Sequence, residues 1–144
     1  MISVVKATTE HLPRILEIGI YAISSSWTFD FLFTELSNGD SHFLVALDNS
    51  VVGFVILRQV GDDGEILQIA VDRKTRRSGV GDLLMEAALN YTRERELESL
   101  FLEVRKSNTA ALALYEKHGF KAMRTRKNYY NDPTEDAIVM VLQV

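Results

Sequence analysis

Two glycines set between a strand and a helix constrain this chain more than any other feature. The segment Arg76-Arg77-Ser78-Gly79-Val80-Gly81 follows the strand-like run Glu65–Val71. It opens a helix reaching to about Glu96, with Leu83, Leu84, Ala87, Ala88 and Tyr91 on one face. Glycine lets backbone approach a ligand closely, and the first N–H groups of a helix are unpaired donors at the positive end of its dipole. Arg73, Lys74, Arg76 and Arg77 add charge of the same sign. The junction therefore reads as an anion site inside an α/β fold, most simply for a pyrophosphate. It has no Gly-Lys-Ser/Thr and is not a Walker loop. Two glycines far from the chain start do not satisfy the dinucleotide fingerprint. A plain helix start with solvated arginines satisfies the same residues.

The rest of the chain supplies the layers. Ile2–Lys6 reads as a strand. Thr8-Thr9-Glu10 offers caps for a helix with the stripe Leu12, Ile15, Leu16, Ile20 and Ile23, where Pro13 is tolerated in the first turn. Ser24-Ser25-Ser26 ends it, and Thr28 caps a second helix through Leu36. His42–Leu47 and Val51–Val60 read as a hairpin. Gly61-Asp62-Asp63-Gly64 turns the chain into Glu65–Val71, completing an antiparallel meander. Beyond the glycine segment come a strand at Ser99–Val104 and a helix over Asn108–His118 stopped by Gly119. Strands at Lys121–Tyr129 and Ala137–Leu142 follow, joined by Asn131-Asp132-Pro133. The order β-α-α-β-β-β-α-β-α-β-β implies a mixed, mostly antiparallel α/β sheet with helices on both faces. Its one parallel pair is Glu65–Val71 with Ser99–Val104, bridged by a helix.

The 144 residues form one expected domain, 1–144, with 47% hydrophobic and 25% charged residues, a globular balance. With no cysteine, thiol catalysis, disulfides and a zinc ribbon are excluded. His11, His42 and His118 lack metal spacing, so no metal is expected. The longest apolar run, Val51–Leu57, falls far short of a membrane span, and Met1–Lys6 does not resemble a signal peptide. A cytoplasmic protein that binds no membrane is the expectation. The net charge of −4 hides an asymmetry. Residues 1–72 carry three basic and ten acidic residues, and residues 73–144 carry thirteen and ten. The split suits an anionic ligand on the second half and a cationic one approaching the first, although scattered charge gives the same count. An acidic chain is not expected to bind nucleic acid directly.

Three residues outside the glycine segment carry possible chemistry. Alternation in Leu100–Val104 puts Phe101 and Glu103 on one face and Leu100, Leu102 and Val104 on the other. Glu103 thus stands at the C-terminal end of a central strand, where open α/β sheets place ligands. An ion pair with Arg105 or Lys106 accounts for it equally. Asn108 and Tyr115 lie seven residues apart on one helix face, beside Ala110, Ala111 and Ala113. A helix cap and a core aromatic fit them as well. Trp27 reads as a core anchor, and Tyr129-Tyr130 as packing or a cleft wall.

Taken together, these residues carry a resemblance. Arg76-x-x-Gly79-x-Gly81 after Gln68-Ile69-Ala70-Val71 resembles the acyl-CoA motif of the GCN-five-related N-acetyltransferases. The block from Leu102-Glu103-Val104-Arg105 through Ser107-Asn108, Ala111, Leu114-Tyr115 and Gly119-Phe120 resembles the RimI branch. So do Trp27-Thr28 and Asn128-Tyr129-Tyr130 followed by Glu135–Met140. The resemblance covers nearly the whole chain. That branch acetylates the N-terminal alanine of the eighteenth small-subunit ribosomal protein with acetyl-CoA. Carried over by position, it makes Arg76, Arg77, Ser78, Gly79, Val80, Gly81 and Asp82 the pyrophosphate cradle. Ile69, Ala70 and Val71 become the backbone edge for the pantetheine arm, and Asn108 a further contact to that arm. Glu103 becomes the general base and Tyr115 the general acid. Asp82 departs from the family, which often has a basic residue there. A carboxylate beside the pyrophosphate weakens binding unless it points away.

The implied chemistry is consistent. An α-amine with a pKa near 7.7–8.0 is roughly a tenth neutral at pH 7, so one carboxylate suffices as base. Backbone N–H groups near Ile69–Val71 can hold the oxyanion, and a tyrosine hydroxyl can protonate the leaving thiolate. The acidic first half suits a basic N-terminal peptide, and no metal is required. Rival readings are acetylation of a small amine such as a polyamine or aminoglycoside, acetylation of another protein's N-terminus, and an acyl-CoA sensor without turnover. The pair Glu103 and Tyr115 argues against a sensor, and the −4 charge against a toxin-like enzyme acting on charged transfer RNA.

Overall fold

Alternating apolar residues in the middle of the chain build long strands, and these organise everything around them. The computed structural model describes residues 1–22, 28–131 and 133–144, with side chains described outside 20–22. Ile23, Ser24–Ser26, Trp27, Asp132 and the side chain of Ile20 therefore lie outside the described residues. The strands are β1 (Ser3–Lys6), β2 (Ser41–Asp48), β3 (Ser50–Val60), β4 (Asp63–Val71), β5 (Ser99–Arg105), β6 (Lys121–Tyr130) and β7 (Glu135–Gln143). The α-helices are α1 (Leu12–Ala22), α2 (Phe29–Ser37), α3 (Val80–Glu94) and α4 (Thr109–Lys117). The element order is the one the periodicity implies. The turn before β4 is tighter than expected: the strand begins at Asp63, and Gly61 makes the reversal at φ 62°.

One sheet runs β1-β2-β3-β4-β5-β7-β6, and only β4 with β5 is parallel. Helices α1 and α2 cover one face, where Leu12, Ile15, Ile18 and Leu32 pack on Phe43, Val45, Phe54 and Ile56. On the other face Val80, Leu84, Met85 and Ala88 of α3, with Tyr115 of α4, pack on Val55, Leu57, Leu100 and Leu102. Leu83 is exposed and does not belong to that stripe. Thr28 caps α2 by accepting from Phe31 N, and Gly119, at φ 98°, follows α4 in the left-handed conformation. The edge strand β6 carries Lys121, Arg124, Arg126 and Lys127, charges that discourage edge-to-edge pairing.

Two irregularities shape the centre of the sheet. Ile56 pairs with Gln68 but Leu57 with Ile66, so Leu67 is a bulged residue of β4. The parallel pairing covers Asp63–Ile66 against Ser99–Leu102 and stops there. A bulge bends and twists its strand, and beyond it Gln68–Val71 stays paired with β3 while its other edge parts from β5. Gly53 of β3 supports this region. A Cβ there would lie 2.9 Å from Ala70 O and 3.0 Å from side-chain atoms of Leu84 and Val80. Gly53→Ala must displace β4 backbone or the start of α3. We expect a loss of about 1–3 kcal/mol, read as a lower denaturation midpoint in urea.

Candidate active site

The parting of β4 and β5 opens a cavity of about 760 Å³. One wall is the free edge of β4 at Gln68–Val71. The opposite wall is the end of β5, Glu103–Arg105, with Asn108 and the α4 residues Ala111, Leu114 and Tyr115. Arg76, Arg77, Gly79, Gly81 and Asp82 close one end, and Tyr130 also lines the space. The cavity thus brings together Ile69, Ala70, Val71, Arg76, Arg77, Gly79, Gly81, Asp82, Glu103, Asn108 and Tyr115. Ser78 and Val80 do not line it: the Ser78 hydroxyl donates to Thr75 O, and the Val80 side chain is buried in the core.

The anion end is built from backbone. Gly79 precedes α3 at φ 87°, and no side chain caps the helix. The N–H groups of Val80, Gly81 and Asp82 occupy the first turn, where α-helical geometry provides no partner. A Cβ on Gly79 would meet nothing within 4 Å, so the space beside it is open. Asp82 does not contribute its charge to that space freely. Its Oδ1 accepts from Lys117 Nζ at 3.0 Å and lies 2.8 Å from His118 Nε2, tying the start of α3 to the end of α4. The sequence suggests Asp82 only as a backbone contact; in the structure its carboxylate is held by α4 while the residue lines the cavity.

The catalytic candidates sit deeper. Tyr115 is buried, its ring packs 6.0 Å from Phe120, and among the described residues its hydroxyl has no hydrogen-bond partner. Burial, and to a lesser degree Tyr130, push its hydroxyl well above the ordinary 10.0. Asn108 lines the cavity and also caps α4, accepting from Ala111 N at 3.1 Å, so the capping reading and the lining position coexist. Glu103 does not pair with Arg105 or Lys106. Its Oε1 accepts from Tyr129 hydroxyl at 3.4 Å, and its Oε2 lies 3.3 Å from Arg126 Nε. That approach lacks hydrogen-bond alignment, so the buried Oε2 accepts no hydrogen bond among the described residues.

Arg105 has another task, one that its sequence neighbours do not reveal. It donates to Asn131 O and Pro133 O, each at 3.1 Å, and pairs with Glu135 at 3.2 Å. Its guanidinium stacks 4.4 Å from the centre of the Tyr130 ring. Glu135 also accepts from Ser107 N at 2.6 Å. These contacts fasten the β6–β7 turn over the β5–α4 loop and hold Tyr130 in the cavity wall. Burial first, then Glu103, push the Tyr130 hydroxyl up to about 12. Among the described residues no three His, Cys, Asp or Glu groups come together as metal ligands. Nor is any helix there long and apolar enough to cross a membrane.

A parallel strand pair that opens at a bulge, beside an uncapped glycine-led helix, leaves a free strand edge that runs toward the unpaired N–H groups of a helix start. Residues 8–120 match the model of the acetyltransferase (GNAT) family, and the chain belongs to that family. It is 34% identical over 138 residues to the [ribosomal protein bS18]-alanine N-acetyltransferase of Escherichia coli K12, covering 94% of this chain and 93% of that protein. A crystal structure of the ribosomal-protein-S18-alanine N-acetyltransferase from Escherichia coli superposes with a TM-score of 0.86 at 32% identity. That match covers all of this chain and 94% of the other. At the level of fold alone, the PaiA N-acetyltransferase of Thermoplasma acidophilum, solved in complex with coenzyme A, gives a TM-score of 0.83 at 20% identity. It covers 100% of this chain and 99% of its own.

Two outcomes test this geometry. Gly79→Val places a branched side chain in the open anion space and forces it to φ 87°, a strain of about 1–2 kcal/mol. Coenzyme A affinity, measured by calorimetry, should be largely lost while the variant stays folded. The Asp82 tie is pH-dependent. Hydrogen bonds from His118 and then Lys117 hold its carboxyl below the ordinary 3.8. A depressed folded pKa stabilises above the unfolded value and loses that contribution as pH falls through the folded one. Asp82→Asn should therefore melt below the parent protein at pH 7, and the gap should close in acid below about pH 3.8.

Proposed function

We propose that this protein transfers the acetyl group of acetyl-CoA to the N-terminal α-amine of a protein in the cytoplasm. Its most fitting substrate is the N-terminal alanine of the eighteenth small-subunit ribosomal protein. The observation that carries the reading is that Glu103 and Tyr115 line one cavity whose remaining wall is an unpaired strand edge. The identity to the Escherichia coli enzyme over nearly the whole chain supports the choice of substrate. The excess of acid in residues 1–72 supports a basic peptide as the partner.

The residues present fit the donor. Arg76, Arg77 and the first N–H groups of α3 would hold the pyrophosphate, with Ser78 and Val80 offering backbone only. The free edge at Ile69, Ala70 and Val71 would pair with the amides of the pantetheine arm as an added strand does, and Asn108 would flank it. Acetyl-CoA supplies an activated acetyl thioester. Glu103 takes the proton of the incoming ammonium, directly or through one water. Because an α-amine has a pKa near 7.7–8.0, the demand on that base is modest, whereas a lysine side chain near 10.4 would ask far more. N–H groups of the β4 edge can hold the oxyanion that develops at the carbonyl. The freed amine forms the C–N bond as the C–S bond breaks; Tyr115, neutral because burial keeps its proton on, gives that proton to the departing sulfur and regains one from the nitrogen that becomes the amide.

The direct test mixes the protein with acetyl-CoA and a peptide that begins with the alanine of that ribosomal protein. Mass spectrometry should find one acetyl group on the α-amine, at a kcat/KM above that for polyamines or aminoglycosides. Faster turnover of the small amines contradicts the substrate assignment. Tyr115→Phe keeps the ring packing and should lower kcat by about 10²–10⁴-fold with little change in melting temperature. Glu103→Gln should retain coenzyme A binding, lose kcat/KM at pH 7 and recover part of it at high pH, where the amine is already neutral. Unchanged turnover at pH 7 would assign the base elsewhere.

A further inference from the structure

The carboxylate in the first turn of α3 is held by a cation that lines the same cavity. Gly81 leaves room for α4 there: a Cβ on it would lie 3.2 Å from Leu114 Cδ2. Lys117 follows Leu114 by three residues, so the two are neighbours on the surface of α4. The close approach at Gly81 therefore brings the end of α4 to the start of α3. Lys117 Nζ donates to Asp82 Oδ1 at 3.0 Å, and Lys117 lines the cavity together with Arg76, Arg77, Gly79 and Asp82. An ammonium has three N–H donors. One goes to Asp82, and among the described residues no second acceptor takes the others. His118 Nε2 lies 2.8 Å from the same Asp82 oxygen, and its Nδ1 lies 3.8 Å from Glu86 Oε1. The His118 side chain is only 10% exposed, so a nearly buried ring fixes Asp82, and Asp82 in turn fixes the exposed Lys117.

We propose that Lys117 is a further cation of the donor site, binding the pyrophosphate of acyl-CoA together with Arg76 and Arg77, and that Asp82 is the positioning residue that aims it. The inference rests on the reading of the cavity given above and adds to it a contact from α4. Asp82 has two opposed effects on an anion. Its own charge repels the phosphates. Its hydrogen bond orders a long, exposed side chain whose rotamer freedom would otherwise be lost when the ligand binds. The contact with His118 holds the carboxylate toward α4, which limits the first effect and preserves the second. An exposed ion pair adds little to stability by itself. On the wall of an anion slot, the same pair presents a pre-oriented cation.

The test is calorimetry with coenzyme A, run below the melting temperature of every variant. It compares the wild type, Lys117→Met, Lys117→Arg, Asp82→Asn and the double variant Lys117→Met with Asp82→Asn. Lys117→Met should bind about 10-fold more weakly, and Lys117→Arg should keep most of the affinity. Asp82→Asn should also bind more weakly, by about 2–10-fold, although it removes a negative charge beside a phosphate. In the Lys117→Met background the same change should raise affinity, because only the repulsion is left to remove. A merely structural tie between α3 and α4 does not produce that reversal of sign. Dephospho-coenzyme A, which keeps the pyrophosphate and lacks the ribose phosphate, should show the same loss in Lys117→Met. Unchanged affinity in folded Lys117→Met overturns the assignment of Lys117. Unchanged or tighter binding by Asp82→Asn alone overturns the positioning role. A Lys117 effect that vanishes with dephospho-coenzyme A overturns the choice of the pyrophosphate. A wild type that binds no coenzyme A refutes the reading of the cavity itself, and this inference with it.

Discussion

The parting of β4 from β5 after the pair Ile66–Leu102 is the constraint on which the site depends. Parallel strands in a closed ladder would satisfy each other's backbone groups and leave no room between them. The bulge at Leu67 turns β4 away while β3 keeps hold of it, so its far edge is offered to a ligand. An open edge inside a fold is normally a liability. Here it is bounded on both sides, by α3 and the glycine segment at one end and by α4 at the other, so it presents a slot rather than an aggregation surface. The core on the α3–α4 face explains why the slot keeps its shape. Val80, Leu84 and Tyr115 are buried in the cluster that also holds Leu100 and Leu102.

Electrostatics sort the two ends of the slot. The start of α3 combines unpaired N–H groups with Arg76 and Arg77, and Asp82, which would oppose an anion, is ion-paired with Lys117 and in contact with His118. At the other end Glu103 of β5 meets Tyr129 and Tyr130 at the end of β6. In the proposed reaction a donor with a charged tail has one favourable orientation along the slot.

The elements were legible because the local signals agree. Alternation at Leu100–Val104, the cap at Thr28, the stop at Gly119 and the glycines before α3 each point to the structure that forms. The glycine-led start of α3 was legible for the same reason, since its parts are consecutive. What the sequence hid is non-local. The bulge at Leu67 looks like any strand residue. The insertion of β7 between β5 and β6 decides that Glu103 meets Arg126 and Tyr129 while Arg105 reaches Glu135, and nothing in the run Glu103-Val104-Arg105 announces it. The positive φ of Asn128, 53°, accompanies the irregular register that brings Tyr129 to Glu103, again a feature of pairing rather than of residue type. Leu83 fits the apolar spacing of α3 and is nonetheless exposed, because helical spacing alone does not set how wide the buried stripe is.

The central claim is that the acyl donor lies along the β4 edge with its phosphates on the start of α3. Amide hydrogen exchange with and without acetyl-CoA measures this directly, since an amide that gains a hydrogen bond exchanges more slowly. The account predicts new protection within Ile69–Val71 and Gly79–Asp82, and little change along the edge strand β6. Binding of acetyl-CoA that leaves both β4 and the start of α3 exchanging as in the free protein would contradict it.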